Sequence, residues 1–319
     1  MPQEKERGRS PAADGGRALS VDHHPRTYRQ GRYVYPVLSR RARGISIGIN
    51  LNPDKVCNWD CIYCQVDRTT PAEIREVDEA MLRRELRSIL RDGRSGELFD
   101  RPEFRHLPPE LRAVQDITFA GDGEPPSYRN FLGVVRDTLR IKREVGYTDL
   151  KVVLLTNATL LHRPRVRRAL ELMDADHGEF WLKLDAGTER YYRLIDRTTL
   201  PYARVLGNIL DAARARPVVL QSLFMKVGGR GPSAGEIESY CDRVAGILEG
   251  GGRVKLIQVY TIARPPADPR VTALDDGEVD AIADDIRRRV PVPVETFYAA
   301  RIASAGRGRD APVTPTAPR

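Results

Sequence analysis

Short runs rich in β-branched residues alternate along this chain with longer stretches of helical periodicity. This alternation is typical of βα units, in which parallel strands are connected by helices. The sequence predicts six main strands, near residues 45–51, 116–121, 151–157, 179–185, 218–225 and 254–261, and an edge strand at 292–298. Because the βα units follow one another in a single row, one incomplete α/β barrel with parallel strands is favoured over two separate domains.

Several helix starts are marked by capping residues. Asp78 precedes an amphipathic segment whose apolar residues share one face. Ser127 is predicted to cap a helix that runs to about residue 144. Ser233 together with Glu236 fits a capping box, in which each residue satisfies the other's main-chain amide.

The two ends of the chain differ in composition from its middle. Residues 1–30 and 301–319 mix Gly, Pro, Ser and Arg with few apolar residues, which cannot support a packed core. The sequence therefore predicts a disordered basic leader over 1–30, a barrel core with a C-terminal extension over 31–300, and a flexible, disordered tail over 301–319.

Positive charge is concentrated near the start of the chain. Residues 1–50 hold ten Lys and Arg against four Asp and Glu, which is most of the net charge of +8. Such a leader is suited to approaching RNA phosphates by counterion release, so RNA is a candidate partner. A solvated arginine-rich tail is the alternative interpretation.

Composition also limits the cellular setting. No apolar stretch approaches the roughly 20 residues that a membrane-spanning helix needs, and no secretory signal precedes the core. We therefore expect no membrane association and a cytoplasmic location. Four cysteines are too few for a disulfide-rich scaffold, and three of them lie within eight residues, which indicates metal chemistry in a reducing compartment.

Strand alternation separates two faces of the predicted sheet. Leu182 and Leu184 should meet the helices, whereas Lys183 and Asp185 should point inward. The other polar residues predicted to point inward are Ser46, Asn50, Asn157, Gln221, Gln258 and Tyr260. So many polar positions favour an open, wet lumen that serves as a substrate chamber, with ordinary two-sided surface strands as the alternative.

The strongest chemical signal is a C-x3-C-x2-C motif formed by Cys57, Cys61 and Cys64, directly after the first predicted strand. Three thiolates on one loop can hold three irons of a cubane cluster and leave the fourth iron open. Cys241 lies inside a predicted helix at a spacing typical of core residues. The alternatives are structural zinc, with a histidine as the fourth ligand, and three unliganded cysteines.

The segment that holds this motif resembles the signature of the radical S-adenosylmethionine (radical SAM) superfamily. The resemblance implies a partial (β/α)6 barrel in which Cys57, Cys61 and Cys64 bind one 4Fe-4S cluster. In that family S-adenosylmethionine chelates the open iron through its amino and carboxylate groups. Tyr63 occupies the position, just before the third cysteine, where the family places an aromatic residue near the cofactor's adenine.

Other segments match the same family. Residues 120–125, AGDGEP, resemble its Gly-Gly-Glu-Pro loop, whose main-chain carbonyls meet the ammonium of S-adenosylmethionine, although Asp122 replaces the first glycine. Asn157 and Asp185 follow the third and fourth predicted strands and resemble ribose or methionine contacts. The resemblance thus implies cofactor contacts for Tyr63, Gly121, Asp122, Gly123, Glu124, Asn157 and Asp185. Lys183 is expected to pair with Asp185 or another carboxylate, in the site or as a structural ion pair.

The activity implied by the resemblance is reductive cleavage of S-adenosylmethionine to methionine and a 5′-deoxyadenosyl radical, which abstracts hydrogen from a substrate. It implies an external reductant such as flavodoxin or ferredoxin. The catalytic residues that act on the substrate stay unassigned.

The substrate class is indicated only by segment similarity. Residues 48–68 together with the GDGEP loop resemble the group related to tRNA wyosine-forming enzymes. Wyosine synthases use additional cysteines for a second cluster, and residues 1–56 contain none, so wyosine formation itself is disfavoured. Another RNA modification is the leading hypothesis. The alternatives are a radical SAM enzyme acting on a peptide, protein or small metabolite, and a non-catalytic iron-sulfur or zinc protein.

Overall fold

The computed structural model describes residues 28–39, 41–264 and 266–299. The predicted leader lies outside these residues up to position 27, and the predicted tail, 301–319, lies wholly outside them. The described strands are β1 (Val34–Ser39), β2 (Gly44–Ile49), β3 (Val114–Phe119), β4 (Lys151–Thr156), β5 (Gly178–Lys183), β6 (Val218–Leu223), β7 (Lys226–Val227), β8 (Val254–Tyr260), β9 (Val271–Thr272) and β10 (Val294–Phe297). The helices are α1 (Glu79–Ser95), α2 (Phe131–Glu144), α3 (Pro164–Asp174), α4 (Glu189–Asp196), α5 (Tyr202–Ala215), α6 (Ala234–Glu249) and α7 (Asp276–Arg289).

The predicted partial α/β barrel is confirmed. One curled sheet runs in the order β1-β2-β3-β4-β5-β6-β8-β10, and its strands from β2 onward are parallel to their neighbours. The six predicted main strands correspond to β2, β3, β4, β5, β6 and β8, and the predicted edge strand to β10. Helices return the chain between these parallel strands, as βα units require.

Three strands were not predicted. Strand β1 pairs antiparallel with β2 at one edge of the sheet. It contains Pro36, which lacks an amide hydrogen and argues against a central strand, but an edge strand tolerates proline. The two-residue strands β7 and β9 form a separate antiparallel pair, too short to leave a periodic pattern in the sequence.

The two faces of the sheet bury different residues. Leu182 and Leu184 belong to the large apolar core between the sheet and its helices, as predicted. On the inner face, Val153, Trp181 and Val219 form a separate buried apolar cluster. The lumen is therefore not polar throughout, because an apolar layer occupies part of its interior.

One predicted helix start needs correction. Helix α2 begins at Phe131, not next to Ser127, although it ends at Glu144 as predicted. Ser127 instead lies in a short 3-10 turn, where its hydroxyl accepts a hydrogen bond from the Asn52 side chain at 2.9 Å. Since the hydroxyl is engaged with the neighbouring loop, it does not cap the helix.

The capping box predicted for α6 is only half formed. Ser233 accepts a hydrogen bond from the Glu236 amide at 3.2 Å. The Glu236 carboxylate, however, accepts from the Gly187 amide and from the Thr188 hydroxyl, so it binds the loop after β5 and not Ser233. In contrast, Asp78 caps α1 as predicted.

None of the helices within the described ranges has the length and apolarity that a membrane crossing requires.

Candidate cofactor-binding site

Residues 50–64 follow β2 at the carboxyl end of the parallel strands and are called the cysteine loop here. Two main-chain hydrogen bonds attach this loop to the end of α4. The Asp60 amide donates to the Asp196 carbonyl at 3.1 Å. The Ile62 amide donates to the Ile195 carbonyl at 2.8 Å. The loop is thus held in place by a helix that follows it by more than a hundred residues in the chain.

Cys57, Cys61 and Cys64 face one cavity of about 220 Å³, called the cysteine cavity here. All three thiols are free and only partly exposed. Burial raises the pKa of Cys57 and raises that of Cys61 strongly. Because thiolates are the ligands of iron-sulfur clusters, loading this site must release protons from these thiols.

Nine of the ten predicted site residues line the cysteine cavity, namely Cys57, Cys61, Tyr63, Cys64, Gly121, Asp122, Gly123, Glu124 and Asn157. The tenth, Asp185, lies at the end of β5, is 2% exposed and contacts Tyr63. Predicted residues that are up to 100 positions apart in the sequence therefore surround one space, at the end of the barrel where barrel enzymes assemble their active sites.

Residues 121–124, the GDGE loop, pack tightly against the cysteine loop. A Cβ atom on Gly121 would overlap the side chain of Asn50, and one on Gly123 would overlap the carbonyl oxygen of Val56. Glycine is required at both positions because a side chain of the cysteine loop packs against Gly121 and its main chain packs against Gly123.

Asp122, which replaces a glycine of the family motif, is held by Asn50 and Arg68. Its carboxylate accepts a hydrogen bond from the Asn50 side chain at 2.7 Å. Its main-chain carbonyl accepts from the Arg68 guanidinium at 3.3 Å. The same guanidinium lies 3.6 Å from the Cys64 sulfur and also donates to the Lys55 carbonyl. Arg68 therefore bridges the cysteine loop and the GDGE loop beside one of the thiols.

Glu124 turns its side chain toward β4 and away from solvent. Its carboxylate accepts hydrogen bonds from the Thr156 hydroxyl and, at 2.9 Å, from the Asn157 amide. Burial raises the pKa of Glu124 to about 7. The Asn157 side chain in turn donates to Asn58 of the cysteine loop at 2.8 Å. Glu124 and Asn157 thus position the strand ends against the cysteine loop.

Tyr63 is held by buried carboxylates. Its hydroxyl lies 2.7 Å from Asp185 and 3.1 Å from Asp196. Asp185 also pairs with Lys183 at 3.0 Å, the partner predicted for this lysine, and Lys183 donates to the Tyr260 hydroxyl at 2.6 Å. Burial alone would lower the pKa of Lys183, but the charge of Asp185 and the contact with Tyr260 raise it. Lys183 is therefore an ammonium at neutral pH.

The donor set fits an iron-sulfur cluster. Beside the three thiols, the indole nitrogen of Trp59 and the Nε of Arg68 are buried in the cavity lining without a hydrogen-bond partner among the described residues. The inorganic sulfides of a cluster are acceptors for such N–H donors. No three His, Cys, Asp or Glu side chains of the described residues are grouped as ligands of a single metal ion. A cubane does not need that grouping, because each thiolate binds a separate iron.

Three functional residues escaped the sequence analysis. Asp196, Arg68 and Arg41 all contact the site or line the cavity, yet no motif marks them. Asp196 occupies the last position of an ordinary amphipathic helix, so only the packing of α4 against the cysteine loop brings it to Tyr63. Cys241, by contrast, is buried in the core on α6, as its helical spacing predicted.

Comparison with known proteins gives one family match. The family model described as the radical SAM superfamily matches residues 51–244. A protein named GTPase Obg from Brachyspira hyodysenteriae is 25% identical over 260 residues, which is 78% of this chain and 32% of that protein. A UPF0026 protein of Methanocaldococcus jannaschii is 32% identical over 165 residues, which is 51% of this chain and 43% of that protein. The chain thus spans half or less of the length of these relatives.

One solved structure in particular shares the fold. A radical SAM methyltransferase from Sphaerobacter thermophilus superposes with a TM-score of 0.57 at 12% identity, over 83% of this chain and 69% of that chain. Two structures of TYW1 superpose less well, with TM-scores of 0.47 and 0.43.

Proposed function

The chain belongs to the radical SAM superfamily, and we propose that it cleaves S-adenosylmethionine reductively and directs the resulting radical at a substrate in the barrel lumen. It is a radical SAM enzyme, and this family works with a 4Fe-4S cluster, S-adenosylmethionine and an external reductant. The proposal assigns the cluster to Cys57, Cys61 and Cys64. The observation that carries it is that these three thiols, the GDGE loop and the lumen residues Gln221 and Tyr260 line one cavity.

When bound at Cys57, Cys61 and Cys64 and beside the GDGE loop, the cluster and S-adenosylmethionine would supply a 5′-deoxyadenosyl radical for hydrogen abstraction from a substrate C–H bond, with one electron taken from a donor such as flavodoxin or ferredoxin and methionine as the other product.

The chain's own residues would bind and orient the cluster and S-adenosylmethionine. Arg68 places positive charge beside Cys64 and ties the GDGE loop to it through the Asp122 carbonyl. Gly121 and Gly123 allow the GDGE loop to approach the cysteine loop closely enough to share a ligand with it. Tyr63, fixed by Asp185, offers an aromatic ring at the cavity wall, which fits the predicted contact with adenine.

Anaerobic reconstitution tests this function. We expect about four irons per chain, the content of a cubane, an electron paramagnetic resonance signal that changes when S-adenosylmethionine is added, and 5′-deoxyadenosine after reduction. Cys57→Ala, Cys61→Ala and Cys64→Ala should each lose the signal and the product. Cys241→Ala is the matched control, because this thiol is buried in α6 away from the cavity. Bound zinc in the natively purified protein, or a resonance signal that does not change when S-adenosylmethionine is added, would favour the non-catalytic metal protein instead.

RNA as the substrate rests on the charge of the leader. The test is retention of tRNA or rRNA at moderate salt by the full chain and by a truncation. The truncation should stop before Tyr28, because the hydroxyl of Tyr28 binds Asp92 on α1 and residues 34–39 form β1. Residues 1–27 hold five Lys and Arg against four Asp and Glu, so most of the positive excess of residues 1–50 remains after this truncation. If the basic residues of 1–27 bind RNA, their removal weakens retention, whereas unchanged retention shows that residues 1–27 play no part in it. A peptide, protein or small-metabolite substrate predicts no salt-dependent RNA affinity.

A further inference from the structure

Arg41 extends from the β1–β2 hairpin into the lumen of the barrel. Its guanidinium carbon lies 5.5 Å from the ring centroid of Trp181 on β5 and 5.1 Å from that of Tyr260 on β8. Arg41 also lines the cysteine cavity. The hairpin precedes β2, whereas the cysteine loop follows it. Arg41 therefore reaches from the other end of this strand and places a permanent positive charge in the space that the proposed radical chemistry uses.

The guanidinium of Arg41 has no anionic partner in the part of the chain that the structure describes. Within the described ranges, Arg41 forms no ion pair and no hydrogen bond, and its contacts are with the faces of the two rings. Other arginines of the molecule are paired, for example Arg83 with Asp137 at 3.0 Å and Arg87 with Glu144 at 2.6 Å. Cation–π contacts fix a guanidinium plane but leave its N–H donors open at the edges. Arg41 is thus oriented and still able to bind a two-oxygen anion.

Other charges in the lumen do not neutralise Arg41. Lys183 lies 5.1 Å from the same Tyr260 ring, so two cations flank one aromatic side chain. Asp185 pairs with Lys183 at 3.0 Å, and the Asp122 carboxylate accepts a hydrogen bond from Asn50. Among the described residues neither carboxylate forms an ion pair with Arg41, which lies in a partly buried space where an anion would gain more than in bulk water.

A second, independent feature points to a ligand in the same place. Gln221 is 0% exposed and lines the cavity, and its side-chain oxygen has no hydrogen-bond partner among the described residues. Its side-chain nitrogen is already used, donating to Gln258 at 2.8 Å. A buried acceptor without a donor costs free energy unless a ligand supplies one.

We propose that the lumen binds the anionic group of the substrate, a carboxylate or a phosphate, on Arg41, with a hydroxyl or amine of the same molecule donating to Gln221. This inference rests on the proposed radical chemistry and adds the substrate class. Arg41 holds the anion in the fork of its guanidinium, since bidentate recognition of carboxylate and phosphate is the geometry that arginine favours.

Protection from chemical modification tests this assignment in the reconstituted full chain. Phenylglyoxal reacts with accessible, unpaired guanidinium groups, and peptide mass spectrometry measures its rate at Arg41 separately from its rate at Arg43. Arg43 is exposed, lies in the same hairpin and does not line the cavity, so it is the internal control. The probes are inorganic phosphate, succinate, chloride at equal ionic strength, and S-adenosylmethionine alone.

We expect phosphate or succinate to slow modification of Arg41 in a saturable way, about tenfold at ten times the dissociation constant, and to leave Arg43 unchanged. Protection by one of the two anions alone identifies the phosphate or the carboxylate. Equal protection of both arginines, no protection, or an Arg41 that fails to react without an added anion overturns the proposal. Full protection by S-adenosylmethionine alone also overturns it, because the cofactor's carboxylate would then be the ligand. The change of the electron paramagnetic resonance signal on addition of S-adenosylmethionine is measured on the same sample and tests the radical chemistry separately.

Discussion

The hydroxyl of Tyr63 lies 2.7 Å from a carboxylate oxygen of Asp185, and this contact joins the cysteine loop to the end of β5. Burial, together with the negative charges of Asp185 and Asp196, strongly raises the pKa of Tyr63, so the phenol stays protonated and donates. The aromatic ring at the cavity wall therefore has a fixed orientation that comes from the barrel and not from the loop alone.

Tyr63→Phe keeps the ring and removes that hydrogen bond. We expect the iron content to stay unchanged, because the three thiols remain, while the unfolding free energy of the cluster-free chain falls by roughly 1.5–3 kcal/mol, the range for hydrogen bonds to charged groups. Chemical denaturation and iron analysis measure both effects. Tyr191→Phe is the control, since this half-buried tyrosine on α4 makes no hydrogen bond through its hydroxyl among the described residues. Equal destabilisation by both variants would contradict the role of the Asp185 contact.

Glu124 gives a pH dependence whose sign follows from its burial. Burial raises its pKa from 4.5 to about 7 in the folded chain. Between these values the folded chain holds a proton that the unfolded chain has released, so stability is full below pH 4.5 and declines as the pH rises through 7.

Glu124→Gln removes this titration. The difference in unfolding free energy between this variant and the parent chain should change by up to roughly 3 kcal/mol between pH 5 and pH 8. The variant gains stability relative to the parent at the higher pH. Denaturation of the cluster-free chain at several pH values measures the difference. Glu73→Gln, at an exposed position, should show the same dependence of stability on pH as the parent chain. A glutamine variant that keeps the parent's pH profile would show that Glu124 does not titrate in this range.

Gly123 tests the contact between the two loops. Gly123→Ala should lower iron incorporation sharply, because the new Cβ would overlap the Val56 carbonyl oxygen, next to Cys57. Gly207→Ala is the matched control, since Gly207 lies within α5 with no atom within 4 Å of its Cβ position. That change should stabilise the chain by up to about 1 kcal/mol through helix propensity. Iron content and unfolding curves separate the two outcomes, and full iron loading of Gly123→Ala would refute the close approach.

The sequence predicted those parts of the site that depend on local patterns. Strand alternation identified Lys183 and Asp185 as inward, and the Lys183–Asp185 ion pair was expected. The order of strands followed from the βα alternation, which leaves few parallel arrangements.

Residues brought in by tertiary packing could not be predicted in this way. Asp196 reaches Tyr63 only because the end of α4 pairs with the cysteine loop through the Ile62 amide. Arg41 enters the lumen because the sheet curls until β5 and β8 both face the hairpin, which no local pattern encodes. Serine is a residue type that commonly caps helices, but the Ser127 hydroxyl accepts a hydrogen bond from the Asn52 side chain instead.

A buried ion pair outside the site provides the last prediction. Lys142 on α2 is 0% exposed, and its ammonium lies 2.6 Å from the Asp176 carboxylate and 2.8 Å from the Leu150 carbonyl. It therefore joins α2 to the segments that precede β4 and β5. Lys142→Met removes the charge and leaves the buried Asp176 carboxylate with Arg143 alone.

Such a broken pair costs about 3 kcal/mol or more, because the remaining charge loses its compensation. Arg140→Ala, which removes exposed ion pairs with Asp137 and Glu144, should cost less than about 1 kcal/mol. Urea denaturation measures both variants, and the double change Lys142→Met with Asp176→Asn should recover part of the loss. If the double variant were less stable than Lys142→Met, the uncompensated carboxylate would not be the cause. Because Lys142 does not line the cysteine cavity, iron content should be equal in all of these proteins once they are folded.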